Sequence, residues 1–371
     1  MRSLLITGGA GFIGGNFVHH WVRTHPEDRV VVLDALTYAG NRATLGPLEA
    51  SGRIAFVHGD VRDGPLVDTV LADHDIDTLV HFAAESHVDR SILGPEAFVH
   101  TNVLGTQVLL DASRRAWCKD GEWRPGVRFH QISTDEVYGS LGQADPPFTE
   151  RTPYAPNSPY AASKAAADHL VRASVHTHGL PASITNCSNN YGPYQFPEKL
   201  IPLVIVNILE GQSLPIYGDG LQIRDWLYVE DHCVAIEGVL CADAVGSTYN
   251  VGGRAERTNL EIVMSLCSLL DARFEADPTL AERFPRCPSG RPGMKAAGLI
   301  QHVRDRPGHD RRYAMDGTRI AAALGFSPSE TLDSGLAKTA DWYLSHEEWW
   351  RAVMDGSYRH WIARQYGSRD A

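Results

Sequence analysis

The chain has 371 residues, 43% of them hydrophobic, and a formal net charge of -11. That is long and apolar enough for one large α/β domain with an attached lobe, and it excludes disorder on a large scale. The acidic balance argues against nucleic acid as the main partner, because backbone phosphates are bound by clustered Lys and Arg, although a few local arginines suffice for a diphosphate.

Short β-branched runs alternate with helical patterns through the first half, the signature of βαβ units and a parallel sheet. Strands are expected at 4–7, 30–33, 54–57, 78–81, 128–132 and 182–185, with helices near 12–24, 64–73, 96–117 and 158–177 that carry apolar residues at three- and four-residue spacing. Six strands suffice for a Rossmann-type doubly wound sheet. After residue 190 the rhythm breaks into Asn190-Tyr191-Gly192-Pro193 and Leu214-Pro215-Ile216-Tyr217-Gly218, which predicts a smaller C-terminal lobe over the sheet's edge, with ligands between the two. Residues 278–298, holding Pro278, Pro285, Pro288 and Pro292, read as a surface loop. The terminal segment, with Trp342, Trp349, Trp350, Tyr358 and Trp361, reads as helices packed on the body. Cys118, Cys187, Cys233, Cys241, Cys267 and Cys287 lack paired zinc spacing, so reduced thiols and no metal are expected. Residues 1–6 are too short for a signal segment and no apolar run approaches about 18 residues, which predicts a cytoplasmic protein with no membrane partner.

Gly8, Gly11 and Gly14 lie after the first strand and before the first helix, and Asp34 closes the second strand 20 residues beyond Gly14. Glycines there let the backbone approach a pyrophosphate, the helix start offers unpaired N–H donors, and the carboxylate binds both hydroxyls of an adenosine ribose. Asp34 would repel a 2′-phosphate, so NAD is expected over NADP. Asp60 and Val61, after the third strand, and Phe82, Ala83 and Ala84, after the fourth, fall where loops border a dinucleotide crevice.

Ser158-Pro159 opens a helix on which Tyr160 and Lys164, four apart, share a face. A neighbouring ammonium favours phenolate, which suits removal of a hydroxyl proton during hydride transfer. At the end of the fifth strand stand Thr134, Asp135 and Glu136. Simple redox needs no adjacent carboxyl pair there, whereas eliminating water from a sugar needs one group to take a carbon-bound proton and another to protonate the departing oxygen. Each acid also favours the protonated form of its neighbour.

These residues resemble the extended short-chain dehydrogenase/reductases, and within them the dTDP-glucose 4,6-dehydratases. The likeness covers nearly the whole chain: Leu36-Thr37-Tyr38-Ala39-Gly40-Asn41, Ala84-Glu85-Ser86-His87-Val88-Asp89-Arg90-Ser91, the Thr134-Asp135-Glu136 triplet, Thr185-Asn186-Cys187-Ser188-Asn189-Asn190-Tyr191-Gly192-Pro193-Tyr194 and Asp305-Arg306-Pro307-Gly308-His309-Asp310-Arg311-Arg312-Tyr313. The resemblance implies a homodimeric hydro-lyase acting on dTDP-glucose. Rossmann residues 1–190, with a return of the chain around 225–255, would hold NAD, and 191–371 would mainly form the nucleotide-sugar lobe. It implies Thr134 near the sugar O4, Asp135 as general acid, Glu136 as base at C5 and Tyr160 as base at O4. It adds Phe12, Ile13, Ala35, Leu36, Thr37, Ser86, Thr101 and Asn190 to the NAD site. Ser86, Thr134, Asn189, Lys199, Leu200, Pro215, Tyr217, Arg224, Asn259, Arg306 and His309 would form the substrate site. Ala35 departs from the family's usual lysine after the ribose-binding acid, and the 278–298 segment looks longer than usual. Rival readings are a 4,6-dehydratase or 4-epimerase of another nucleotide sugar, or an idle NAD-binding sensor.

Overall fold

The computed structural model describes residues 1–242 and 244–354. Fourteen strands occur among them: β1 Ser3–Thr7, β2 Arg29–Asp34, β3 Ala55–His58, β4 Thr78–His81, β5 Cys118–Lys119, β6 Glu122–Trp123, β7 Arg128–Thr134, β8 Ala182–Cys187, β9 Asn189–Tyr191, β10 Leu214–Tyr217, β11 Ile223–Tyr228, β12 Thr248–Val251, β13 Glu256–Thr258 and β14 Ile300–Val303. Seven form the central parallel sheet in the order β12-β8-β7-β4-β1-β2-β3. The six expected strands are all there, and β12 adds a seventh beyond β8.

A sheet covered on both faces needs apolar residues on both, and β1 shows how the period of two divides them. Leu4 and Ile6 join Val30 and Val32 in a layer with Phe17, Val18 and Trp21 of helix Phe12–Thr24 and Cys233, Ile236 and Leu240 of helix Val229–Cys241. Leu5, Val31, Leu33 and Leu79 point the other way, onto Val67, Leu71, Leu109 and Val171 of helices Gly64–Asp73, Gly105–Trp117 and Pro159–His178. The second lobe has its own core, where Ile201, Ile205, Ile216, Trp226, Ile262, Leu266, Tyr343 and Trp350 are buried together.

The 278–298 reading needs correction. It contains a helix, Thr279–Arg283, and tight turns at Pro288–Gly290 and Ala296–Leu299. Leu280, Phe284, Cys287 and Ala296 are buried against helix Asn259–Ala276. Pro278 and Pro288 sit at the starts of helical turns, where the missing N–H costs nothing, and so do not act as breakers. The expected helix 96–117 is continuous but holds a π-helical stretch at Val99–Leu104. The β5–β6 hairpin is an addition to the expected elements; Asp120 and Gly121 turn it with φ of 53° and 88°, the left-handed pair that Asp-Gly favours. Helices Leu332–Ser345 and Glu347–Val353 pack Trp342 and Trp349 around Tyr194; Tyr358 and Trp361 lie outside the described residues. Among the described residues, no helix is long and apolar enough to cross a membrane.

Candidate active site

A cleft of about 630 Å³ opens at the carboxyl ends of the central strands. The turn after β1 forms its floor. Gly8 has φ +70°, and a Cβ there would lie 2.5 Å from the Ala83 amide; one on Gly14 would lie 2.3 Å from the Gly8 carbonyl. Only glycine fits this turn. Gly11 caps helix Phe12–Thr24 without any side chain bonding the first-turn amides, so those N–H groups and the helix dipole remain available to an anion. Asp34 closes β2 with Oδ1 accepting from the Leu36 amide at 2.8 Å and Oδ2 from the Ala10 amide at 2.9 Å. Burial raises its pKa while these two bonds oppose the rise. The carboxylate is thereby fixed on the cleft wall with lone pairs to spare for a ribose. An uncapped helix start and a fixed acid are the two halves of a dinucleotide cradle.

The helix that carries Tyr160 and Lys164 starts with Ser158 as N-cap, its hydroxyl accepting from the Ala161 amide at 3.1 Å, and Pro159 in the first turn. Tyr160 and Lys164 are both buried. Lys164 Nζ donates to the Ile132 carbonyl at 2.7 Å. Burial and the nearby Glu136 charge push the Tyr160 phenol well up, while a Thr134 hydrogen bond pulls it back. Burial lowers Lys164, and the Asp168 charge opposes that.

Thr134 ends β7, and its hydroxyl accepts from the Glu136 amide at 3.3 Å, opening the tight turn Asp135–Tyr138 that projects both acids into the cleft. Asp135 is buried, and its Oδ2 has no hydrogen-bond partner. Burial, then the Glu136 charge, raise Asp135 well above the usual carboxylate range. Glu136 is raised by burial too, but Arg306, Lys199 and Arg224 draw it back. Burial and charge favour the protonated form of Asp135, while nearby cations favour ionisation of Glu136.

Of the residues expected at the cofactor, Gly8, Gly11, Phe12, Ile13, Gly14, Asp34, Ala35, Thr37, Asp60, Val61, Phe82, Ala83, Ala84, Ser86, Thr101, Tyr160, Lys164 and Asn190 line this cleft. Leu36 does not; its side chain packs on the β1–β2 layer. Of those expected at the substrate, Ser86, Thr134, Asn189 and Lys199 line it, Lys199 Nζ donating to the Ser86 carbonyl at 3.0 Å. Leu200, Pro215, Tyr217, Arg224, Asn259, Arg306 and His309 lie beyond its wall. Tyr217 and Arg306 both bond Asp89, at 3.0 and 3.2 Å, and Tyr217 meets the His309 ring edge-on at 6.0 Å. Arg224 is buried over the Tyr313 ring, its guanidinium donating to the Asp310 carbonyl. Pro215 pairs with Gln301 across β10 and β14, Leu200 opens helix Leu200–Glu210, and the Asn259 amide bonds the Gln222 carbonyl. The cations of this cluster reach the cleft through their field on Glu136.

Sequence reasoning missed three groups here. Arg62 lines the cleft and grips Asp60 with two nitrogens. Glu198 lines it too, almost wholly buried, 3.4 Å from the Arg90 guanidinium. Asn102, buried in the π-helical stretch, ties the Glu85 backbone to the Ser163 hydroxyl on the helix that carries Tyr160 and Lys164. The acidic residue beside Lys199 was the one visible hint.

Residues 5–339 match the family model described as GDP-mannose 4,6 dehydratase. The dTDP-glucose 4,6-dehydratase of Xanthomonas campestris pv. campestris (strain B100) is 56% identical over 97% of this chain and 98% of its own length. Escherichia coli K12 dTDP-glucose 4,6-dehydratase 1 is 51% identical over 99% of each chain. Among solved structures, the dTDP-glucose 4,6-dehydratase of Streptomyces venezuelae with NAD bound aligns with a TM-score of 0.83 and 46% identity, covering 95% of this chain and 100% of that one. The UDP-glucose 4-epimerase of Thermus thermophilus aligns at 0.76 with 28% identity over 93% of this chain and 100% of that one. With the glycine turn, the Tyr160/Lys164 pair and the Asp135/Glu136 pair in one cleft, the chain belongs to the dTDP-glucose 4,6-dehydratase family of extended short-chain dehydrogenase/reductases.

Proposed function

We propose that this chain is an NAD-dependent hydro-lyase that converts dTDP-glucose to dTDP-4-keto-6-deoxy-glucose. The observation that carries this reading is the buried Asp135, its Oδ2 without a hydrogen-bond partner, beside Glu136 in the same cleft as Tyr160 and Lys164. Bound NAD supplies the hydride acceptor at C4 and the donor at C6, and is regenerated within each turnover. Tyr160 takes the proton from O4 while Thr134 hydrogen-bonds that oxygen and the Lys164 ammonium stabilises phenolate. With a ketone at C4, the C5–H becomes acidic; Glu136 removes that proton and Asp135 gives its own to the departing O6, and C5 regains a proton as C6 receives hydride. The partnerless Asp135 Oδ2 is a buried group that a sugar hydroxyl would satisfy.

Residues 1–190 with the return around 225–255 hold the cofactor, and 191–371 mainly the nucleotide sugar. Arg224 and Arg306 supply forked donors to the diphosphate. Ser86, Asn189, Lys199, Leu200, Pro215, Tyr217, Asn259 and His309 complete that site. The chain works as a cytoplasmic homodimer. A 4-epimerase shares the fold and the tyrosine but has no use for an acid and a base at C5 and C6. The test is to mix protein and NAD with dTDP-, UDP-, CDP- and GDP-glucose and develop the 4-keto chromophore in alkali. Signal with dTDP-glucose above the others supports the reading, and its absence rejects it.

A further inference from the structure

The catalytic helix carries an ionisable side chain that the reaction above does not use. Asp168 lies four residues beyond Lys164 and eight beyond Tyr160, so the three share a face, and Asp168 is fully buried. Its Oδ2 accepts from Ser133 Oγ at 2.6 Å, the Tyr154 hydroxyl at 2.9 Å and Asn186 Nδ2 at 3.4 Å, while Oδ1 has no hydrogen-bond partner. Lys164 Nζ bonds the Ile132 carbonyl, so two consecutive residues of β7 are pinned to this helix immediately before Thr134.

A buried ammonium whose acceptors are all neutral gives up its proton. Tyr160 and Asp168 on its own helix, Cys187 on β8 and His81 on β4 are the titratable groups around Lys164. Burial holds His81 neutral, at about 3, and drives the Cys187 thiol up, so neither supplies a negative charge. Burial raises Asp168, and Lys164, the Ser133 and Tyr154 hydrogen bonds and Arg172 oppose that rise and favour its carboxylate; the Tyr138 phenol faces it as well. Arg172 spends one nitrogen on the Tyr154 hydroxyl, at 2.8 Å. Asp168 is thus the carboxylate whose field opposes the loss of the Lys164 charge, one helical turn away and without a direct ion pair.

We infer that Asp168 is a positioning residue that keeps Lys164 cationic beneath Tyr160 and ties the catalytic helix to the end of β7 through Ser133. The inference rests on the dehydratase reading for its kinetic consequence only. Losing the carboxylate removes what holds the Lys164 pKa up, so the ammonium is lost at lower pH and the oxidation it supports fails at lower pH. In the NAD-loaded Asp168→Asn chain, the single-turnover rate of NADH appearance should lose its alkaline plateau about one pH unit or more below the parent, with KM for dTDP-glucose unchanged. Oxidation is the right step to follow because it does not need Asp135. An independent arm needs no substrate: Asp168→Asn should lower the melting temperature, and adding Lys164→Met should restore it by removing the orphaned charge. An unshifted alkaline limb overturns the counter-ion role. A double variant as unstable as Asp168→Asn overturns the pairing itself, and that arm decides alone if the single variant is too unstable to assay.

Discussion

Asp135 and Glu136 are neighbours in one tight turn, yet Asp135 is driven well above the usual carboxylate range by burial and by the Glu136 charge, while Glu136 is partly restored by Arg306, Lys199 and Arg224. The asymmetry comes from the lobe: its arginines and lysine act chiefly on the second acid, so two chemically similar side chains take opposite roles. Glu136→Gln and Asp135→Asn should each leave C4 oxidation intact and stop the cycle after it, seen as persistent NADH absorbance on adding dTDP-glucose. Each should lower overall kcat roughly 100- to 10,000-fold, the usual contribution of one proton-transferring group. Full dehydration by the double variant would reject the assignment.

The same asymmetry fixes a pH profile. If Glu136 acts as the carboxylate and Asp135 as the acid, as proposed above, elimination is lost as pH falls through the raised pKa of Glu136 and lost again as pH rises through the raised pKa of Asp135. The two limbs belong to the pair as coupled titrations. A kcat profile for dehydration should therefore be a bell with its acid limb above the range of an ordinary glutamate. Glu136→Gln should abolish that limb in the residual activity. A profile flat down to the usual glutamate range would contradict it.

Tyr160 starts from a phenol raised by burial and by the Glu136 charge, so to act as a base it needs a neighbouring cation, the part proposed above for Lys164. Tyr160→Phe should cut the rate of NADH appearance roughly 100- to 10,000-fold without changing NAD affinity measured by fluorescence titration. A variant that oxidises dTDP-glucose at the parent rate would remove Tyr160 from the mechanism.

The structure reshapes what a change at Asp34 tests. Both carboxylate oxygens already hold backbone amides, so Asp34→Ala would loosen the loop after β2 as well as lose the ribose. Asp34→Asn keeps the shape and one acceptor. It should weaken NAD binding by about 1.5–3 kcal/mol, the worth of a hydrogen bond to a charged group. NADP should remain a poor substitute in the parent chain; equal turnover with both cofactors would count against the ribose assignment.

What was legible in the sequence was periodic or glycine-bound. β1 shows itself as a short continuous apolar run, as a strand covered on both faces must, and the turn at Gly8 and Gly14 admits no other side chain, so pattern and chemistry agree locally. The π-helical stretch was hidden because one extra residue per turn hardly disturbs a three- and four-residue apolar spacing. Asp168 was hidden for another reason: its meaning depends on Ser133 and Asn186, which arrive from two other strands. Residues 278–298 misled because proline marks the first turn of a helix as readily as its end. The Tyr217, Arg306 and His309 group stood out only by family likeness, since Asp89, which joins Tyr217 to Arg306, lies far away in sequence.

The homodimer proposed above makes a prediction of its own. Leu93, Val99 and Leu104 are 61%, 54% and 47% exposed on the helical run that packs beside the catalytic helix, and Val99 and Leu104 fall one π-helical turn apart. Large apolar side chains grouped on one outer face favour burial against a second copy, and a two-fold axis would bring the same face of each chain together. Replacing Val99 and Leu104 together by Asp places two charges on each side of such a contact, where like charges oppose one another. The double variant should sediment as a monomer in analytical ultracentrifugation at concentrations where the parent is a dimer. Because the π-helical stretch also carries Asn102, which bonds Ser163 on the catalytic helix, the monomer should show a lower kcat and melting temperature than the parent. A parent chain that is itself monomeric, or a variant that remains dimeric, would place the contact elsewhere or remove it.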